Sequence, residues 1–246
     1  MDSPTSASEP EVDIPVLGGG TDAGSMLVFD PAALPNDYDA LARNDPVALN
    51  ESLAKEGKLY WLDTEADGSY NLGVCTSGEV PPQHAPFARQ LGVTERFSVP
   101  SGKLYFTGIE YGFRYDDTAL GKNSPMGSHH TIDAGIYRLT IYEMEYPEDF
   151  HEQRLRERLP ARSHRLYSLM NLFMPMGCLS TLVLLVSPFK LGLRAWSITA
   201  LPICVALILP AIIVSRSPRF RELQRVKQAV EAEYPDYLAV LRPVDP

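Results

Sequence analysis

The sequence predicts an α+β membrane protein. Its N-terminal part reads as a mainly-β cytoplasmic domain, a small sandwich or open barrel with one helix. A two-helix transmembrane hairpin and a C-terminal amphipathic helix follow. Three observations lead there: two long charge-free runs after residue 165, period-two alternation of apolar residues between 58 and 144, and a reversal of charge near residue 150. Residues 1–150 hold 9 Lys/Arg against 24 Asp/Glu, a net −15, whereas residues 151–246 hold 13 against 7, a net +6. The overall −9 argues against nucleic acid as a partner, because phosphate contacts need clustered cations.

Residues 1–24 are rich in Ser, Pro, Gly and acids and read as a flexible leader. Residues 1–17 show neither a basic n-region nor an apolar h-region, so the acidic part is expected to remain in the cytoplasm. The β domain is expected over 25–147. Met26 to Phe29 is a strand halted by Asp30-Pro31. Asp45 caps a helix with Pro46 in its first turn, Leu49 and Leu53 on one face, and Gly57 as its stop. Lys58–Asp63 and Ser69–Thr76 flank Asp67-Gly68, a hairpin signal. Lys103–Tyr115 and Ile136–Met144 read as further strands, and the GKNSPMGSHH stretch as a loop.

A juxtamembrane helix is expected over 148–165, with Glu152 and Arg156 at pairing distance. Residues 166–189 and 195–215 carry no formal charge, and at ~1.5 Å per residue each can cross ~30 Å of hydrocarbon. The connector 190–194 holds two basic residues, against five on each outer flank, which places both termini in the cytoplasm at the inner membrane. With no ionisable group inside them, the spans read as an anchor or as a homo-oligomer contact through the hairpin. Residues 216–246 form a basic amphipathic helix and tail. Arg216, Arg219, Arg221, Arg225 and Lys227 surround a stripe of Phe220, Leu223, Val226, Val230 and Tyr234. That helix either meets the lipid bilayer, as a membrane-surface site, or packs on the β domain.

Motifs for chemistry are sparse. Gly18-Gly19-Gly20-Thr21-Asp22-Ala23 matches GxGxxA without the strand–turn–helix setting a dinucleotide needs. Asp63, Glu65 and Asp67 before Gly68 resemble the first half of a calcium loop, but Val74 stands where a bidentate Glu belongs. His129, His130 and Asp133 are metal-ligand types, with His84 a further candidate, yet adjacent histidines on a strand point to opposite faces. Cys75, Cys178 and Cys204 form no CxxC and read as apolar side chains in a reducing compartment. No cofactor is expected, and no motif selects a reaction, which favours a non-catalytic role. The expected function is that of a two-span integral membrane protein. Its acidic domain would bind, sense or adapt, with another membrane or cytoplasmic protein as partner. The alternatives are a membrane-tethered metal-dependent hydrolase using the histidine loop and an immunity-type inhibitor.

Overall fold

Nine strands in two sheets carry the computed structural model, which describes residues 14–160 and 216–244. The chain divides into two compact units, 1–147 together with 231–246, and 148–230. In the first unit, β1 (Val16–Thr21) and β2 (Ser25–Phe29) lead into α1 (Tyr38–Leu41) and α2 (Pro46–Lys55). Then come β3 (Leu59–Asp63), β4 (Gly68–Cys75), β5 (Ala88–Val99), β6 (Lys103–Gly108), α3 (Thr118–Lys122), β7 (Gly127–Thr131) and β8 (Gly135–Met144). The last strand, β9 (Tyr237–Pro243), is placed at the centre of the five-stranded sheet β1-β4-β9-β8-β5. The other sheet has the order β3-β2-β6-β7. β9 runs parallel to β4 and antiparallel to β8.

Side chains alternate across a strand, so each sheet has two faces to cover. Leu72, Leu139, Ile141 and Leu241 from one sheet meet Val28, Leu104 and Phe106 from the other, all fully buried. On the reverse of the four-stranded sheet, Leu27 and Phe29 lie beneath Tyr38 and Leu53 of the helices. On the reverse of the five-stranded sheet, Cys75, Leu238 and Val240 pack against Val80 and Phe87 of the segment 76–87, which returns the chain from β4 to β5.

The two sheets approach each other at two seams. At one seam Ser128 Oγ donates to the Gly18 carbonyl (2.8 Å), and a Cβ on Gly19 would lie 2.6 Å from Met26. At the other, Ser98 N donates to the Gly57 carbonyl (2.9 Å). Gly57 has φ +71°, and a Cβ there would stand 2.1 Å from the Arg96 carbonyl oxygen. The stop signal after α2 is therefore also a packing requirement. Asp45 caps α2 by accepting from Ala48 N (3.1 Å).

Several expectations are corrected. Lys58–Asp63 and Ser69–Thr76 do not form a hairpin: β3 pairs with β2, while β4 pairs with β1 and β9. Asp67-Gly68 marks a crossing between sheets. Residues 16–21, read as leader, form β1, because the glycines that suggest flexibility are what lets β1 lie against Met26 and Phe106. The strand expected to reach Tyr115 ends at Gly108, where a 3-10 turn over Ile109–Tyr111 begins. The GKNSPMGSHH stretch, expected as a loop, ends in β7, and the tail expected after the C-terminal helix contains β9; β5 had no clear signal.

The membrane reading is also corrected. No helix among the described residues is long and apolar enough to cross a membrane. The runs 166–189 and 195–215 and the connector 190–194 lie outside the described residues. Among the described residues the fold is mixed α+β with two sheets, mostly strands and few helices. The two-span function and the inner-membrane placement with its cytoplasmic termini fall with the hairpin. The physical reason is that an uncharged run of twenty residues is necessary for a span without being sufficient for one.

Within the second unit the described helices are α4 (Phe150–Arg158) and most of α5 (Pro218–Glu233). Ser217 Oγ caps α5 by accepting from Phe220 N (3.1 Å). The stripe residues Phe220, Leu223 and Val226 pack with Leu155 and Leu159 at the end of α4. Arg156 reaches Glu152 at 2.5 Å.

Candidate functional site

Two connections cross between the sheets side by side in the first unit. Asp22–Gly24 joins β1 to β2, residues 64–67 join β3 to β4, and Thr64 N donates to the Gly24 carbonyl (3.0 Å). The second crossing is held by its own polar groups. Asp63 accepts from Glu65 N (2.9 Å), Tyr70 Oη donates to the Ala66 carbonyl (2.8 Å), and Glu65 adopts the left-handed conformation at φ 59°. That conformation is costly for a residue with a Cβ, at roughly 1–2 kcal/mol.

Glu110 joins them from the 3-10 turn after β6. Its carboxylate accepts from Asp22 N (2.5 Å) and from Thr21 Oγ1 (3.1 Å), and Tyr111 Oη donates to Asp22 (3.5 Å). Loss of hydration, and then the Asp22 and Glu110 charges, raise the Tyr111 phenol above its ordinary pKa. Five exposed carboxylates thus share one end of the unit: Asp22, Asp63, Glu65, Asp67 and Glu110. Among the described residues none of the five pairs with a Lys or Arg. Some carboxylates elsewhere are paired, as where Arg89 bridges Glu143 and Glu145 and Arg43 meets Asp116.

A second polar cluster is buried. His84, in the segment 76–87, is 2% exposed, and its Nδ1 lies 3.4 Å from Tyr146 Oη. The Tyr234 ring meets the imidazole edge-on at 6.1 Å. Burial lowers the His84 pKa below 6.5, opposed by the Glu233 charge. Burial, and then the Asp236 charge, raise that of Tyr146. Nearby, burial pushes the Cys75 thiol up to about 12.

The residues expected from sequence to act on metals stay apart. His129 and His130 lie on β7 opposite Tyr105 and Leu104, so they point to opposite faces, and His129 stacks on Tyr105 at 4.6 Å. Asp133 offers its backbone carbonyl to Tyr137 Oη (2.6 Å). Asp63, Glu65 and Asp67 share the acidic end, with Asp63 committed to its own turn. Among the described residues no group of three or more His, Cys, Asp or Glu is arranged to hold a metal ion. Arg216, Arg219, Arg221, Arg225 and Lys227 are exposed on or just before α5. Sequence reasoning missed Asp22 and Glu110, which lie 88 residues apart and carry no shared motif.

No family model matches the chain, and no curated protein matches it. A solved structure described as "Crocagin biosynthetic gene J" is 17% identical over 56% of this chain and 78% of its own, with a TM-score of 0.36. A likeness at that level carries no argument about fold or function.

Proposed function

We propose that the first unit is a recognition domain whose acidic end holds a Lys- or Arg-rich segment of another protein. The observation that carries this reading is the meeting of Asp22, Asp63, Glu65, Asp67 and Glu110 at the paired crossings, exposed and without a cationic partner among the described residues. The unit as a whole supports it, with 26 Asp/Glu against 10 Lys/Arg, a net −16. A single exposed ion pair at 4 Å gains only about 1 kcal/mol in water, so several carboxylates in one place are needed to select a cationic segment. The same field speeds encounter with such a segment and repels nucleic acid.

The test uses the full chain and a labelled Arg-rich peptide. Binding should weaken steeply as salt rises from about 0.01 M to about 0.1 M, where the screening length falls from ~30 Å to ~10 Å. The triple variant Asp63→Asn, Glu65→Asn, Asp67→Asn should lose most of the affinity; Asn also tolerates the left-handed position. A control that removes three exposed acids elsewhere, Asp37→Asn, Glu79→Gln and Asp117→Asn, should bind nearly as the parent does. Equal weakening in both variants would show bulk charge alone and overturn the proposal.

A further inference from the structure

The segment 76–87 straps the reverse face of the five-stranded sheet, and its attachment depends on a buried imidazole. Val80 and Phe87 cover Cys75, Leu238 and Val240, and Arg242 of β9 donates to the Gly78 carbonyl at 3.2 Å. Past Pro81, whose carbonyl accepts from His84 N (2.9 Å), the chain turns and places His84 inside. There His84 meets Tyr146, just beyond β8, and Tyr234, just beyond α5. The Tyr146 ring also packs on Phe87 (5.0 Å) and on Tyr234 (5.9 Å). The imidazole therefore joins three segments that are distant in sequence, at the point where β9 enters the sheet.

We propose that His84 is an acid-released latch: neutral, it holds the segment 76–87 onto the five-stranded sheet, and its protonation frees that segment and uncovers Cys75. The physical case rests on burial. A neutral imidazole needs one acceptor contact and one donor contact, and the Tyr146 hydroxyl satisfies Nδ1. A protonated one carries a full charge into a site made of aromatic rings, where charge is costly. The charged and titratable groups facing it are the phenols of Tyr146 and Tyr234 and the carboxylate of Glu233, with Asp236 beyond Tyr146. Glu233 favours the imidazolium, but loss of hydration outweighs it. The direction follows by linkage. Below an ordinary pKa of about 6.5 a released His84 binds a proton that the latched one does not, so acid favours release. The effect is absent above that range and saturates below the lowered pKa of the latched state. Exposed carboxylates titrate lower, near 4, so the two transitions are separable.

Cys75 reports the latch. On the full chain, 4,4′-dithiodipyridine, which reacts with thiols in mild acid, should modify Cys75, relative to an exposed thiol at the same pH, slowly at about pH 7.5 and faster at about pH 5.5, by up to about tenfold, the limit set by protonating a released imidazole of ordinary pKa over that interval. Peptide mass mapping isolates Cys75 from Cys178 and Cys204. His84→Gln should abolish the pH dependence, whereas His129→Gln should leave it intact. Hydrogen exchange at β2 and β6 should stay unchanged, which separates release from global unfolding. Equal protection of Cys75 at both pH values, or the same acid response in His84→Gln, would overturn the proposal. Should His84→Gln fail to fold, imidazole NMR titration of the parent decides: a His84 that titrates at the ordinary imidazole value of about 6.5, with the segment still protected, refutes the latch.

Discussion

The two units invert one another. The first draws its strands from both ends of the chain, fills the space between two sheets with fully buried side chains, and carries a net −16. The second carries 12 Lys/Arg against 5 Asp/Glu, a net +7, and its described helices meet through five apolar side chains. The difference shows where stability resides. Sheet pairing and apolar burial over long sequence separations hold the first unit, whereas α4 and α5 rely on a short stripe and on local ion pairs such as Arg156–Glu152.

Substitutions can break or sharpen this contrast. The largest effect is expected from Phe106→Ala, which empties a fully buried site between the sheets and should cost about 3–5 kcal/mol in urea unfolding. Peptide-resolved hydrogen exchange should show the loss across both sheets; equal loosening of α4 and α5 would end the contrast between units. Asp30→Ala follows. Asp30 is fully buried and accepts from Ser101 N (2.7 Å), Ser101 Oγ (2.6 Å) and Ala32 N (2.9 Å). Leaving those donors without their acceptor should cost about 2–3 kcal/mol, with Asp30→Asn recovering part of it.

Leu223→Ala is the counterpart in the second unit and should cost about 2 kcal/mol, the low end for a buried leucine. Its exchange signature should stay within α4 and α5. A change that spread through β4 and β9 would contradict it. The smallest effect belongs to Arg156→Gln. Its exposed i,i+4 pair with Glu152 is worth about 0.3–0.5 kcal/mol, and the difference should vanish in high salt. A cost near that of Leu223→Ala would mean that ion pairs, rather than the stripe, hold the helices.

Local signals were legible wherever a residue's partners are its neighbours in sequence. Asp45, Pro46 and Gly57 bracket α2, Ser217 and Pro218 open α5, and the Glu152–Arg156 pair forms. The same local reasoning failed at Asp67-Gly68, where turn residues are compatible with a hairpin and with a crossing between sheets. It failed again over 109–115, where alternation in the sequence runs on past the end of β6 into a 3-10 turn over Ile109–Tyr111 and irregular chain after it. The acidic end was half visible. Asp63, Glu65 and Asp67 stood out as a run, but Asp22 and Glu110 reach it only through folding.

By itself the sequence determined the charge asymmetry, the caps of the helices and which strand faces are apolar, because each follows from composition or from periods of two and 3.6 residues. It could not determine which strands pair. β9, at the centre of its sheet, is the last strand in the chain, and its neighbours β4 and β8 lie more than ninety residues before it. Only the tertiary structure decided that pairing, and with it the acidic end and the burial of His84. A strand's own residues specify that it has a buried face, whereas its neighbours are selected by how all the buried faces close around a common core.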